Sequence, residues 1–146
     1  MKKITLLLLC IMFVVSVAGC TNSEKDTTAS VLQFVIDEDA GSEGVILYAV
    51  MKNGDRSEEK KKEPPYVLYF DGGDVHQAFD NFFDSEKNVY TGTVKEYAIN
   101  ESADSALLDE IKLYITNSPK LPAKRKTVTV KDVNTYINEK LAENTD

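Results

Sequence analysis

The chain has 146 residues, of which 42% are apolar, and its 17 basic and 24 acidic side chains give a formal net charge of −7. This length and apolar content favour one globular domain over an intrinsically disordered chain. The negative charge argues against a nucleic-acid partner, because a polyanion would repel the protein. Two cysteines and one histidine leave little material for a zinc site or a redox pair.

The first 19 residues have the pattern of a secretory signal peptide. Lys2 and Lys3 form a short positive region, and residues 4–15 are apolar apart from Thr5. This apolar run is too short for a membrane-spanning helix, which needs about 20 residues. It is typical of the hydrophobic region of a signal peptide. We therefore expect residues 1–19 to be removed.

The end of this segment, Val17-Ala18-Gly19-Cys20, resembles a bacterial lipobox. The resemblance implies diacylglycerol on the Cys20 thiol, cleavage before Cys20, and acylation of the new amino terminus by a fatty acid such as palmitate. The alternative is an ordinary signal peptide that ends near a cysteine. Because two or three acyl chains anchor a protein stably, the resemblance implies a lipid-anchored protein on the outer face of a cell membrane. In a Gram-positive cell, which we favour, this is the cytoplasmic membrane.

The predicted mature chain begins with the lipidated cysteine and a polar tether. Cys10 lies in the removed segment, so Cys20 is the only cysteine left, and no disulfide, thiol nucleophile or thiolate metal site is expected. Loss of the two leader lysines takes the formal charge from −7 to −9. We expect residues 20–30 to form a flexible lipidated tether and residues 31–146 to form a single globular domain.

The hydrophobic pattern after the tether predicts eight elements in the order β-β-β-α-β-α-β-α. Runs rich in β-branched and aromatic residues predict strands, and apolar spacings of three and four predict helices. The predicted strands are 31–39, 45–52, 66–70, 88–100 and 127–130, and the predicted helices begin at Asp74, at 100–102 and at Asp132. The order indicates an α/β (α+β) fold, in which a mixed sheet begins with an antiparallel hairpin and helices pack on it.

Several local features refine these elements. The second strand is a nearly continuous apolar run, which predicts burial on both faces. Asp74 and Gln77 have the spacing of a helix capping box, and the second helix is predicted to end at Asn117. Residues 55–63 are almost all charged and predict a solvated loop.

His76, the only histidine, lies in the first turn of the helix that begins at Asp74, close in sequence to Asp71. A histidine beside a carboxylate can act as a general base. However, no cysteine nucleophile and no serine in a recognisable context accompany it. We interpret His76 as a surface or capping residue, and we expect neither enzymatic activity nor a cofactor.

An acidic hairpin tip is the main candidate for ion binding. Asp37, Asp39 and Glu43 would bring several oxygens together, which calcium prefers. The spacing does not match an EF-hand loop, so a solvated tip is the alternative. The acidic turn at 71–74 is a second place where an ion or small ligand could bind.

A basic cluster, Lys124-Arg125-Lys126, lies near a predicted turn. Basic residues held near a membrane are attracted by anionic lipid headgroups. An ordinary solvated turn explains the same residues, and the sequence leaves both interpretations open.

The order of elements and several short motifs resemble a known family. The motifs are Phe34-Val35-Ile36-Asp37, the helical segment 77–82, the glycine-bearing segment 90–99, the helix through 107–109 and the segment 117–122. With the lipobox, they resemble the N-terminal domain of the Ger(x)C lipoproteins, the C subunits of spore germinant receptors, from about Val31 to Asp132. The chain departs from that family at Thr93, where a histidine is usual, and we expect the resemblance to cover only the first of the family's three domains.

The resemblance implies a non-enzymatic α/β domain that contacts membrane receptor subunits in a spore-forming Gram-positive bacterium. We therefore expect a membrane-anchored extracytoplasmic lipoprotein that acts on a membrane protein partner. The alternative is a lipoprotein that binds an ion or a small ligand. An enzyme that depends on His76 is the third and least favoured class.

Overall fold

The structure, a computed structural model, describes residues 29–54 and 63–145. The predicted signal peptide, Cys20, most of the tether and the charged loop at 55–62 lie outside these ranges. No helix within them is both long enough and apolar enough to cross a membrane.

The described residues form a five-stranded mixed sheet with three helices, which confirms the predicted fold class and element order. The first strand begins one residue earlier than predicted. The elements are β1 (Ser30–Glu38), β2 (Val45–Lys52), β3 (Tyr66–Gly72), α1 (Val75–Ser85), β4 (Glu96–Asn100), α2 (Ser105–Asn117), β5 (Lys126–Val130) and α3 (Val133–Glu143).

The strand order across the sheet is β3-β2-β1-β4-β5. Only β2 runs against the others, because β1 and β3 pair with it in antiparallel fashion, whereas β4 pairs in parallel with β1 and β5. The other four strands therefore end at the same side of the sheet, which we call the carboxyl end. The opposite side, where these strands begin, is called the amino end. Each helix begins at the carboxyl end, directly after a strand.

An aromatic cluster fills the space between the sheet and the first two helices. The ring centroid of Phe34 on β1 lies 5.3 Å from those of Phe79 and Phe82 on α1, and both contacts are edge-on. Tyr97 on β4 stacks beside Phe34 at 6.2 Å. All four side chains are almost completely buried. Such pairs stabilise a core beyond the area they bury.

The helix α3 covers the other face of the sheet. Val133 and Ile137 of α3 form a second core cluster with Val35 of β1 and Val50 of β2, among others. Because Phe34 and Val35 belong to different clusters, β1 is buried on both faces. A hydrogen bond from the Tyr136 hydroxyl to the Glu96 carboxylate, at 2.5 Å, adds a polar contact between α3 and β4.

Each helix begins with an aspartate that caps its N-terminus. Asp74, Asp104 and Asp132 accept a hydrogen bond from the backbone N–H three residues later, at 2.7 to 2.9 Å. The caps at Asp74 and Asp132 confirm the sequence prediction. The Gln77 side chain departs from a standard capping box, because its Oε1 accepts the N–H of Gly73 instead of that of the cap residue.

Two predicted element boundaries were wrong by three residues or more. The fourth strand was predicted over 88–100, but β4 spans only Glu96–Asn100. A turn at 91–94, closed by a bond from the Val94 N–H to the Thr91 carbonyl, interrupts the extended chain, and Tyr90 keeps an isolated bridge to Ser30.

The second helix was predicted to open at 100–102, but α2 begins at Ser105. The side chain of Asn100 accepts the N–H of Ser102 at 3.0 Å, which holds this segment as a turn. Asp104 then provides the helix cap. Ala103, which was assigned to the helix, is buried but precedes it.

The central position of Phe34 leads to a stability prediction. We expect Phe34→Ala to lower the free energy of unfolding by about 3–5 kcal/mol, because it removes the ring that contacts Phe79, Phe82 and Tyr97. Urea denaturation measures the change. The control is Leu113→Ala, since this residue is 64% exposed and should change stability by less than about 0.5 kcal/mol. Similar losses for the two variants would contradict the assigned core.

Candidate functional site

His76 lies on the surface of α1, as the sequence interpretation expected. Its ring meets that of Tyr114 edge-on at a centroid distance of 4.7 Å. Both residues line a groove of about 350 Å³ between α1 and α2, together with Asp80 and Lys120. Asp71, which is near His76 in sequence, lines a different cavity. The groove offers a shallow aromatic surface.

The three candidate ion ligands of the hairpin tip have different surroundings. Asp37 is half-buried on β1 and accepts a hydrogen bond from Nδ2 of Asn100 at 2.6 Å. Asp39 accepts bonds from the Ser42 hydroxyl at 2.5 Å and the Gly41 N–H at 3.0 Å. Both bonds lower the pKa of the Asp39 carboxyl below its usual range, and the bond from Ser42 has the larger effect. Glu43 is exposed to solvent.

A cleft of about 510 Å³ at the carboxyl end joins the two acidic segments that the sequence analysis singled out. Asp39 and Glu43 line it from the hairpin tip, and Asp71 lines it from the turn that precedes α1, whereas Asp37 is not part of its wall. Within residues 29–54 and 63–145, no three histidine, cysteine, aspartate or glutamate side chains are grouped so that they could hold a metal ion. Ion binding at the tip stays the alternative to a solvated tip.

The outer strand β3 carries an exposed apolar surface. Tyr69 is 72% exposed and Val67 is 37% exposed. In the register between β2 and β3 they face Tyr48 and Val50, so they lie on the side of the sheet that α3 covers elsewhere. By contrast, the alternate β3 residues pack against the main core.

Burial on this face decreases from β1 towards β3. Val50 of β2 is fully buried, but Ile46 and Tyr48 of the same strand are only half-buried. The prediction that β2 is buried on both faces therefore holds for only part of the strand. We refer to Ile46, Tyr48, Val67 and Tyr69 together as the β3 patch. Burial is the main cause that raises the pKa of Tyr48, and the nearby charges of Asp37 and Asp39 raise it further.

The free edge of β3 adjoins this patch. Within the described part of the chain, β3 and β5 each pair with a strand on one side only. β5 presents exposed Lys126, Thr127 and Thr129, whereas β3 has no charged residue from Tyr66 to Phe70. Proteins usually protect an outer strand with charged residues or cover it, because its unpaired backbone groups attract another strand. The β3 edge is a surface of the type that another strand can join.

The predicted second and third strands include Tyr48 and Tyr69, but their sequence alone assigned neither residue to an interface. Val67 and Tyr69 were missed because a strand pattern shows alternation but not how far a helix on that face extends. The absence of charge in 66–70 was the one available signal.

Comparison with known proteins adds no family to this description. No protein-family model matches the chain, and neither a curated protein nor a solved structure is significantly similar to it.

The geometry of the acidic tip leads to a calcium prediction. We expect millimolar calcium to leave the melting temperature unchanged relative to sodium chloride of equal ionic strength, because the Asp37 and Asp39 carboxylates already accept hydrogen bonds within the fold. Differential scanning fluorimetry measures this. A rise that calcium alone produces, and that Asp39→Asn removes, would instead establish an ion site in the cleft.

Proposed function

We propose that this protein is a membrane-anchored lipoprotein outside the cytoplasmic membrane that acts by contact with a membrane protein. The lipobox ending at Cys20 supports the anchor. The observation that carries the contact function is the free edge of β3, which has no charged residue over 66–70 and adjoins the exposed Val67 and Tyr69. The proposal assigns no catalytic role to any residue.

The chemistry of β3 defines the type of partner. An extended segment that adds to a sheet edge forms main-chain hydrogen bonds, and its alternate side chains select the partner. A segment beside β3 would place alternate side chains next to Val67 and Tyr69, which are apolar or aromatic. We therefore propose an extended, uncharged segment of a membrane protein as the partner of β3. Aromatic residues are enriched at such interfaces.

A narrower form of this proposal is that the partner is a spore germinant receptor. It rests on the motifs that resemble the Ger(x)C N-terminal domain, including Phe34 to Asp37. If a deletion strain forms spores that germinate normally with every nutrient tested, this narrower form fails. The general proposal of a contact lipoprotein does not depend on it.

The anchor is tested at Cys20. We expect mass spectrometry of the mature protein to find a diacylglyceryl group on Cys20 at the amino terminus. Cys20→Ser should move the protein out of the washed membrane fraction, because the acyl chains supply the stable attachment. The control is Cys10→Ser, which changes a residue of the removed segment and should leave fractionation unchanged. An unmodified Cys20 in mature, membrane-bound protein would contradict the proposal.

The contact surface is tested with a photo-crosslinking residue in native membranes. We expect a crosslinker in place of Tyr69 to capture a membrane protein, and Val67→Lys to lower the yield at least fivefold, since a lysine on this strand opposes pairing. The comparison site is Leu113 on α2, which is 64% exposed and belongs to a helix instead of a strand. Equal capture from Tyr69 and Leu113, or no effect of Val67→Lys, would count against β3.

A further inference from the structure

The folded domain begins at the amino end of the sheet. The N–H of Tyr90 donates to the carbonyl of Ala29 at 2.9 Å, and the N–H of Val31 donates to the carbonyl of Tyr90 at 2.9 Å. Ala29 follows Cys20 by nine residues, so even a fully extended chain would place it within about 30 Å of the anchor. If Cys20 carries the proposed lipid anchor, the amino end is the part of the domain that this short tether holds closest to the membrane.

Basic side chains collect at this same end. The Thr91 hydroxyl donates to the carbonyl of Lys120 at 2.5 Å, and the Arg125 guanidinium donates to the carbonyl of Gly92 at 3.1 Å. These bonds bring the segment after α2 beside the segment that holds the start of β1. The exposed basic residues of the two segments, which we call the basic cluster, are Lys87, Lys95, Lys120, Lys124, Arg125 and Lys126.

The charges of the basic cluster are not neutralised within the described fold. In residues 29–54 and 63–145 the one salt bridge joins Lys140 to Glu143 on α3. Carboxylates do occur at the amino end, in the connections at Glu63 and Glu86, at the start of β4 at Glu96, and in the last turns of α1 and α3 at Asp84 and Glu143. None of them forms an ion pair with a member of the cluster. The cluster is therefore available to an external anion.

The carboxyl end has the opposite charge. In the described connections at that end, Lys131 is the only basic residue. The acidic residues there are Glu38, Asp39, Glu43, Asp71, Asp74, Glu101, Asp104 and Asp132. An anionic surface would therefore attract one end of the domain and repel the other.

We propose that the amino end of the domain docks on an anionic lipid surface through the basic cluster, with the carboxyl end directed away from it. This inference rests on the proposed anchoring at Cys20, which holds the cluster near the membrane. Tyr90 lies 56% exposed beside the cluster, and tyrosine is enriched at membrane–water interfaces. The charge attraction acts over a Debye length of about 8 Å at physiological salt, so docking requires the amino end to touch the surface.

The experiment uses residues 20–146, which contain every residue of the described fold and have Cys20 as their only thiol. Coupling of Cys20 to a maleimide lipid in vesicles supplies the anchor independently of lipidation in the cell. The chain has no tryptophan, so Tyr90→Trp and Ala123→Trp each introduce a single probe at the amino end. Ala40→Trp places the same probe at the opposite end, in the hairpin tip.

We expect headgroup-quencher lipids to quench Tyr90→Trp and Ala123→Trp in vesicles that contain phosphatidylglycerol, and not in pure phosphatidylcholine. Quenching should disappear in about 0.5 M salt, because salt at this concentration shortens the Debye length to a few ångströms and screens the charge attraction. Ala40→Trp should remain unquenched. Equal quenching in both lipids, quenching of the Ala40 probe alone, or no quenching at either amino-end probe would overturn the proposal.

Charge removal tests the cluster itself. Each basic residue near an anionic surface strengthens binding about fivefold, so Lys124→Gln with Lys126→Gln should reduce the ratio of docked to undocked protein about 25-fold. The matched control is Lys112→Gln with Lys131→Gln, which removes the same charge outside the cluster and should have little effect. Equal effects of the two pairs would show that only net charge matters and would overturn the assignment of the surface.

The outcomes separate this inference from the proposed function. Docking of the maleimide-coupled protein does not require biological lipidation, so an unmodified Cys20 in cells would refute the anchor and leave the vesicle result standing. Conversely, a lipidated protein whose amino-end probes are not quenched would refute the docking surface alone.

Discussion

The burial of β1 on both faces is the constraint on which the rest of the fold depends. Phe34 and Val35 are adjacent, point to opposite sides of the sheet and are completely buried. Helices must therefore cover both faces, and neighbouring strands must satisfy the backbone of β1 at both edges, since buried polar groups need partners. These demands are met by β2 and β4 at the edges, by α1 and α2 on one face, and by α3 on the other. The need for a helix on each face decreases with distance from β1, which is why β3 can expose one face to solvent.

The direction of the strands explains the separation of charge. Because β3, β4 and β5 run in the same direction and each precedes a helix, all three helix N-termini lie at the carboxyl end. Aspartate is favoured as a helix cap and also interacts favourably with the positive end of the helix dipole. The helices end at the opposite side, where basic residues are favoured near a helix C-terminus. The acidic carboxyl end is thus partly a consequence of topology, and the basic cluster lies where topology permits positive charge.

The sequence predicts what is decided locally and fails where distant elements decide. The caps at Asp74 and Asp132 and the presence of α1 could be predicted because each depends on residues that are close together in the sequence. The start of α2 could not, since Asn100 and Asp104 are both good cap residues and only the turn at Ser102 distinguishes them. The exposure of Tyr69 depends on how far α3 reaches across the sheet. The contact between the segments that contain Lys120 and Thr91 depends on the order of the strands in the sheet. The hydrophobic periodicity of the sequence does not reveal that order.

The basic cluster and the β3 edge have a fixed geometric relation, because the cluster lies at the end of the sheet where β3 begins. β3 runs from the amino end to the carboxyl end of the sheet. In a domain that docks by its amino end, β3 would therefore begin near the membrane and lead away from it. A strand added to the edge of β3 would lie along β3, either parallel or antiparallel to it, and would have one end near the lipid surface. An extended segment that directly adjoins a transmembrane helix meets this condition, whereas a segment lying flat on the membrane does not. Under the two proposals, the charge separation would set the orientation of the domain and would thereby restrict the class of partner that could join β3 along its uncharged residues 66–70.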